Sequence, residues 1–325
     1  MRVSVIIPTR NRATLLARAV SGVEAQRHPD VELIVVDDGS TPEQSALVAQ
    51  RLGTVPGARH LVAQATGAEG SGPSRVRNAG IAAASGELVA FCDDDDEWCA
   101  PDFLATSVAA FAADPVLDML FGDQAAFADG AVKYATWQPR LDAIAAARGA
   151  PADAVARVSR GECLVSAGDF AHMNTCVFRK TLLGAVGGFD AEFGYCEDLD
   201  LFVRAVDRAR AVAYLRRGVA RHHVPDRSRR DNASTRLGAH ARNVTLDSIA
   251  TRLAERCTTP EARAYARELG AQACRTLARE AAVGQPGEAL AWARRAARWQ
   301  PTLRWALYTQ VLRWRRLLAP RSAGT

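Results

Sequence analysis

The chain contains no run of about 18 apolar residues, so no helix is expected to cross a membrane. Its first residues enter a strand pattern at once. They lack the charged stretch, apolar stretch and small-residue cleavage site of a secretory signal. The seven cysteines are odd in number and include no CxxC pair, so neither a zinc centre nor a redox pair is read from them. Reduced thiols in a cytoplasmic protein are expected. From residue 236 onward lysine is absent, and 16 arginines face 6 acids, a surplus of about +10. Residues 1–235 carry 25 bases and 30 acids, about −5. The basic character therefore belongs to the tail. The acidic front argues against a nucleic-acid-binding body, and no nucleic-acid partner is expected.

What is present supports a sizeable core: 48% apolar and 24% charged residues in 325. That length suits one large α/β domain, or one domain with an appendage. Strand and helix signals alternate through the front. Val3–Ile7 reads as a buried strand that Pro8 ends by removing a donor. Residues 13–25 read as a helix, with Leu15, Leu16, Ala19, Val20 and Val23 at helical spacing. A strand over 32–36, a helix over 42–52, a strand at "RHLVAQA", a Gly/Ser loop, a helix over 75–84 and the strand "ELVAFC" follow. "VLDMLFGDQAAF" reads as a further strand, "EDLDLFVRAVDRA" as a helix, and "AVAYLRRGVARHH" as a strand pair or a strand and loop. Such alternation implies a mostly parallel sheet with helices on both faces. Ligands of these sheets bind beyond the carboxyl ends of the strands. Thr9-Arg10-Asn11, Asp37-Asp38 and Asp93 to Asp96 would then share one rim.

"FCDDDDEW" is the densest cluster of charge. Four successive carboxylates repel one another unless water or a cation neutralises them, and hard oxygen donors favour Mg²⁺ or Mn²⁺. A solvated acidic loop is the plain alternative. The position of the run, after a buried strand on a polar rim, favours a site.

In order, "VSVIIPTRNR", "VVDDGS", "SRVRNAGIAAASGELVAFCDDDDEW", "VGGFD" and "CEDLDL" resemble the family 2 glycosyltransferases, which have the GT-A fold. The resemblance spans Met1 to His223. It implies a nucleotide-diphosphate sugar donor and a saccharide or lipid-linked acceptor. It places Pro8, Thr9 and Arg10 against the nucleoside and Asp38 on the base, with Asp37 beside it. Arg77 and Asn78 match the family's pair near the nucleotide, with Arg75 an alternative arginine. The D-x-D signature maps to Asp93, Asp94 and Asp95, with Asp93 and Asp95 as the acids that reach ribose and metal; the register Asp94–Asp96 stays open. In the family's acid pair, Asp198 is the expected general base and Glu197 the second choice. Helix capping is the other use of acids there. The family's Arg-x-His maps to Arg221-His222-His223, so His223 is the expected third metal ligand, or a residue of a surface loop. Arg227, Arg229 and Arg230 are expected to clamp a diphosphate, to lie in a solvated basic loop, or to face a phosphate-bearing acceptor. His172, Met173 and Asn174 are expected to line the acceptor side, Asp190 to cap, and Gly187-Gly188 to make a turn with positive φ.

The implied organisation is a GT-A domain over 1–235 and a helical, arginine-rich extension over 236–325. The implied reaction is metal-dependent, inverting sugar transfer in bacterial-type cell-surface polysaccharide or glycan synthesis. No Gln-x-x-Arg-Trp motif is present, so a processive synthase is not expected. A nucleotidyltransferase would want glycines in the loop after the first strand, and "PTRNR" has none. A non-catalytic sugar-nucleotide-binding scaffold would have no need of Asp38, Asp95 and Asp198 together. Two destinations are open to the tail: an anionic membrane surface at the cytoplasmic face, or packing on the catalytic domain with its arginines in solvent.

Overall fold

The structure, a computed structural model, describes residues 1–63, 70–128, 130–224, 235 and 237–318. The chain divides into two compact units, Met1–Cys163 with Asp169–Arg229, and Leu164–Gly168 with Arg230–Thr325.

The first unit is built on a ten-stranded sheet. Four parallel neighbours form one half: β3 (Arg59–Val62), β2 (Val31–Asp37), β1 (Val3–Thr9) and β4 (Leu88–Phe91). Beyond β4 come the antiparallel β9 (Cys176–Arg179), then β6 (Leu117–Ala128), then β10 (Ala211–His223), which pairs in parallel with β6. The short β5 (Glu97–Trp98) closes the path, while β7 (Ala131–Tyr134) and β8 (Val155–Val158) pair with β6 and β10.

Alternation along β1 fills both faces. Val3, Val5 and Ile7 pack with Leu16, Ala19, Val20 and Val23 of helix α1 (Ala13–Glu24). On the other face Ile6 meets helix α3 (Pro73–Ala83) at Gly80, where a Cβ would come within 2.4 Å of the Ile6 side chain. Only glycine lets that helix approach so closely.

Two expectations are corrected here. Pro8 does not end the first strand, which runs through Pro8 to Thr9 in register with Val36 and Asp37. Bonding sides alternate along a strand: the Ile6 carbonyl accepts from Cys92 on the β4 side, and the Thr9 carbonyl from Asp38 on the β2 side. The missing donor of Pro8 therefore faces the β4 side, past the point where β4 has ended. The segment 211–223 is a single 13-residue strand, with register shifts between Tyr214 and Gly218 and between Gly218 and Ala220.

The second unit is helical. Helices α9 (Ala239–Arg256), α10 (Pro260–Ala281), α11 (Pro286–Trp299) and α12 (Leu303–Leu318) follow one another, with a turn at Pro301 between the last two. Cys274, Ala278, Ala289, Leu290, Ala293, Trp305 and Leu312 form its core. Asp247 is buried in it and accepts from Trp299 Nε1 at 2.9 Å, Cys274 Sγ at 3.1 Å and Arg295 Nε at 2.6 Å.

Candidate active site

The carboxyl ends of β1, β2 and β4 deliver Thr9, Asp37 and Asp93 to one rim of the sheet. The four aspartates after β4 take up an alternating arrangement. Asp93 and Asp95 keep 21% and 25% of their side chains exposed, whereas Asp94 keeps 8% and Asp96 1%. The buried pair is fully engaged by the protein. Asp94 accepts from Thr9 Oγ1 at 2.8 Å and from Arg12 Nη1 at 3.2 Å. Asp96 accepts from the His222 ring at 2.9 Å, from the His223 backbone at 2.7 Å and from the Asn174 amide.

Burial and crowding govern these acids. Burial works to raise the Asp93 carboxyl, yet the Arg77 guanidinium at 2.6 Å overrides it and holds the group below the usual range. Burial pushes Asp94 up to about 6 against the pull of Arg12. Burial and the three neighbouring carboxylates push Asp95 up to about 8; its contact with Arg12 at 3.1 Å offsets only part of this. Ionisation of Asp95 is thus disfavoured unless a further cation offsets it.

Asn174 is the post that supports this row. It is fully buried and accepts from the Asp93 backbone N–H at 2.8 Å; its amide donates to Asp96, and its carbonyl accepts from Trp98 Nε1 at 2.6 Å.

Arg77 links the acid row to a second cluster. On α3 it is buried, while Arg75 faces outward. One Arg77 nitrogen donates to Asp93, the other to Glu197 at 2.8 Å. Glu197 opens helix α8 (Glu197–Arg208), and Cys196 before it holds φ +55, a left-handed value that sets the entry angle of the helix. The next residue, Asp198, accepts from the N–H of its neighbour Leu199 at 2.9 Å. Burial pushes its carboxyl up to about 6, against the pull of Arg77. His172 Nε2 lies 3.8 Å from Asp198 Oδ2. Burial and the charge of His222 push His172 down to about 4, so its ring is neutral at pH 7.

The turn at Gly187-Gly188 has positive φ at both glycines, as expected. Asn78 holds it: its amide donates to the Phe189 carbonyl at 2.8 Å and accepts from the Phe189 N–H at 2.9 Å. Arg204 donates to the Gly188 carbonyl at 2.8 Å from α8. The turn and the helix that presents Asp198 are thus locked together.

The other expected residues fall as follows. Asp38 accepts from the N–H groups of Ser71 at 2.7 Å and Gly72 at 3.0 Å, which pins the loop entering α3. Asp37 is buried and accepts from the Ser40 N–H at 2.8 Å. Pro8 lies in the strand, Thr9 is buried against Asp94, and Arg10 is partly exposed at the strand end. His223 directs its ring toward Glu97, with Nε2 at 3.9 Å from it. It is His222 that turns to the acid row. The shift between Gly218 and Ala220 bears on this, because its one extra residue changes which face later residues take relative to β6. Asp190 accepts from the Glu192 N–H at 3.0 Å. Arg227, Arg229 and Arg230 lie outside the described residues.

Sequence reasoning missed Arg12, Trp137 and His222. Arg12 stood in the first quoted motif and carried the signal of a cation beside a strand end. Trp137 packs edge-on against His172 and His222, at 5.4 and 5.6 Å between ring centres. Asp123 holds it there by accepting from the Trp137 and Gln138 N–H groups at 2.8 and 3.0 Å.

Among the described residues, two donor sets could hold a divalent ion. Asp93 and Asp95 offer partly exposed carboxylates on the open side of the row. Asp96, His172 and His222 offer ligand atoms that all lie within 4.8 Å of one another. In the second set the Asp96 oxygens already accept three hydrogen bonds, which an ion would have to displace. The first set fits Mg²⁺ or Mn²⁺ better, since its oxygens are hard and a cation would favour the ionised form of Asp95.

Residues 4–142 match the family described as Glycosyl transferase family 2. An uncharacterized glycosyltransferase of Nostoc sp. is 39% identical over 120 residues, 37% of this chain and 36% of that protein. The chain therefore spans about a third of the length of that relative. Among solved structures, S. aureus TarS 1-349 in complex with UDP-GlcNAc aligns with TM-score 0.66 at 18% identity, over 98% of this chain and 88% of that one. The mannosyltransferase PcManGT from Pyrobaculum calidifontis, in complex with GDP-Man and Mn²⁺, aligns with TM-score 0.59 at 21% identity, over 98% and 81%. The α/β fold is of the GT-A type.

Proposed function

We propose that this chain is a member of glycosyl transferase family 2 and moves a sugar from a nucleotide-diphosphate donor to a hydroxyl acceptor, by an inverting, cation-dependent displacement. The observation that carries the reading is the Arg77 strut. It joins Asp93 on the donor side to Glu197, the neighbour of Asp198, so leaving-group site and base share one support. The nucleotide-sugars held by TarS and PcManGT support a nucleotide-diphosphate hexose as the donor class.

Asp95, with Asp93, would hold Mn²⁺ or Mg²⁺, in the register where the two partly exposed acids serve and the two buried ones support. A bound cation there offsets the charge that develops on the departing nucleoside diphosphate. Asp198 takes the proton of the acceptor hydroxyl. At about 6 its carboxyl is ionised at pH 7 yet more basic than a solvated carboxylate, which suits a general base. Glu197, tied to Arg77, is the weaker candidate for that step. Neutral His172 beside Asp198 offers hydrogen bonding without a competing positive charge. With Glu197 tied to Arg77 and Asp93 and Asp95 assigned to the cation, Asp198 acts as the single base, and direct displacement implies inversion. A saccharide or lipid-linked acceptor at the cytoplasmic face of the membrane, in cell-surface glycan synthesis, fits this chemistry.

Asp198→Asn tests the assignment. Transfer should fall by about 10²–10⁴-fold while stabilisation by the donor nucleotide persists. Undiminished turnover would remove Asp198 from the mechanism. A loss of nucleotide binding alongside activity would make it a donor contact instead.

A further inference from the structure

The last helix, α12, is apolar on two opposite faces. Trp305 and Leu312, seven residues apart and thus in line along the helix, are buried in the helical unit. Trp305 is fixed there by its Nε1 donating to the Ala293 carbonyl at 2.9 Å, with Arg275 and Arg279 over its ring. The opposite face carries Leu303, Leu307, Val311, Trp314 and Leu317, spaced by four, four, three and three. That spacing draws one stripe along a helix. All five are exposed, from 48% at Val311 to 80% at Leu303. An exposed leucine is ordinary; five large apolar residues in one line are a surface that wants a partner.

Charge identifies the partner. Arg304 and Arg315 flank the stripe on one side and Arg313 on the other, all exposed. From Ala289 to the end there are eight arginines and no acid or lysine. A second copy of the chain, docked symmetrically on this face, would bring arginines against arginines. An anionic lipid surface matches both features, accepting the apolar stripe at the level of the acyl chains and the arginines at the phosphates. Trp314 suits that boundary, with an apolar ring and a polar N–H.

We infer that the outer face of α12 lies on an anionic membrane surface, parallel to it, and holds the chain there without a spanning segment. No described helix is long and apolar enough to cross a membrane. The inference does not depend on the donor-site reading.

Sedimentation of the full chain with vesicles tests it, using phosphatidylcholine alone and phosphatidylcholine with about one-third phosphatidylglycerol. Binding is expected only to the anionic vesicles, and should weaken steeply as salt is raised. Leu307→Gln with Trp314→Gln should weaken it by about tenfold or more, as should Arg304→Gln with Arg313→Gln and Arg315→Gln. Both variants change exposed residues, and unaltered melting would certify their folding. No binding of the wild type to anionic vesicles would overturn the inference. So would binding that ignores both variants, or a dimer in light scattering that Leu307→Gln with Trp314→Gln dissolves, since a second copy would then cover the face.

Discussion

The acidic rim of the first unit and the arginine-rich second unit use charge in opposite ways. At the rim, charges of both signs are drawn inward and paired one by one: Asp93 and Glu197 on Arg77, Asp94 on Arg12 and Thr9, Asp96 on His222 and Asn174. Cations run short at Asp95, which shares Arg12 with Asp94. In the helical unit one buried acid, Asp247, is fully partnered, and many arginines stand in solvent. A paired, buried network positions groups for chemistry, while exposed charge of one sign reads as a binding surface.

The comparison breaks most readily at Arg77. Arg77→Met leaves Asp93 and Glu197 buried without their cation, and should cost about 3–5 kcal/mol of stability in denaturant melts, with transfer lost. Asp247→Ala is the matching change in the helical unit. Its partner Arg295 is 36% exposed, so solvent screening reduces the effect, and about 1–2 kcal/mol is expected in the same measurement.

The pH dependence of turnover sharpens the account of Asp198. Its pKa is raised by burial to about 6, and the base must be unprotonated to act. Turnover should therefore be level above pH 7 and fall about tenfold per unit below pH 6. A profile without that limb would contradict the assignment.

Asp95 should show the smallest effect and an opposite sign. Its folded pKa, raised to about 8, lies above the unfolded value, so the folded state holds the extra proton between the two. That contribution to stability is present at low pH and is lost as pH rises toward 8. Asp95→Asn, which cannot ionise, should melt about 2 °C or more higher than the wild type in metal-free buffer at pH 8, and should lose its response to Mn²⁺.

Much of this was legible in the chain. Apolar runs with period two and helical stretches between them predict the order of strands and helices, and polar residues after Ile7, Val36 and Cys92 predict the rim. Three features were not. Pro8 stays within its strand because bonding sides alternate, which composition does not reveal. His222 and His223 exchange the expected places because a shift in β10 changes its facing, and local sequence does not announce such a shift. Asn78 and Asn174 serve backbone groups 111 and 81 residues away, at Phe189 and Asp93, so their use is settled only by the fold. The Asp247 to Arg295 pair, 48 residues apart, is of the same kind.

The central claim is that the rim binds a nucleotide diphosphate with the help of a divalent ion at Asp93 and Asp95. Thermal melting of the full chain with UDP, GDP and dTDP, each with and without Mn²⁺, tests it most directly. The account predicts a rise in Tm with one of the three that requires Mn²⁺ and disappears in Asp95→Asn. No shift with any nucleotide, or a shift indifferent to the metal and to Asp95→Asn, would contradict it.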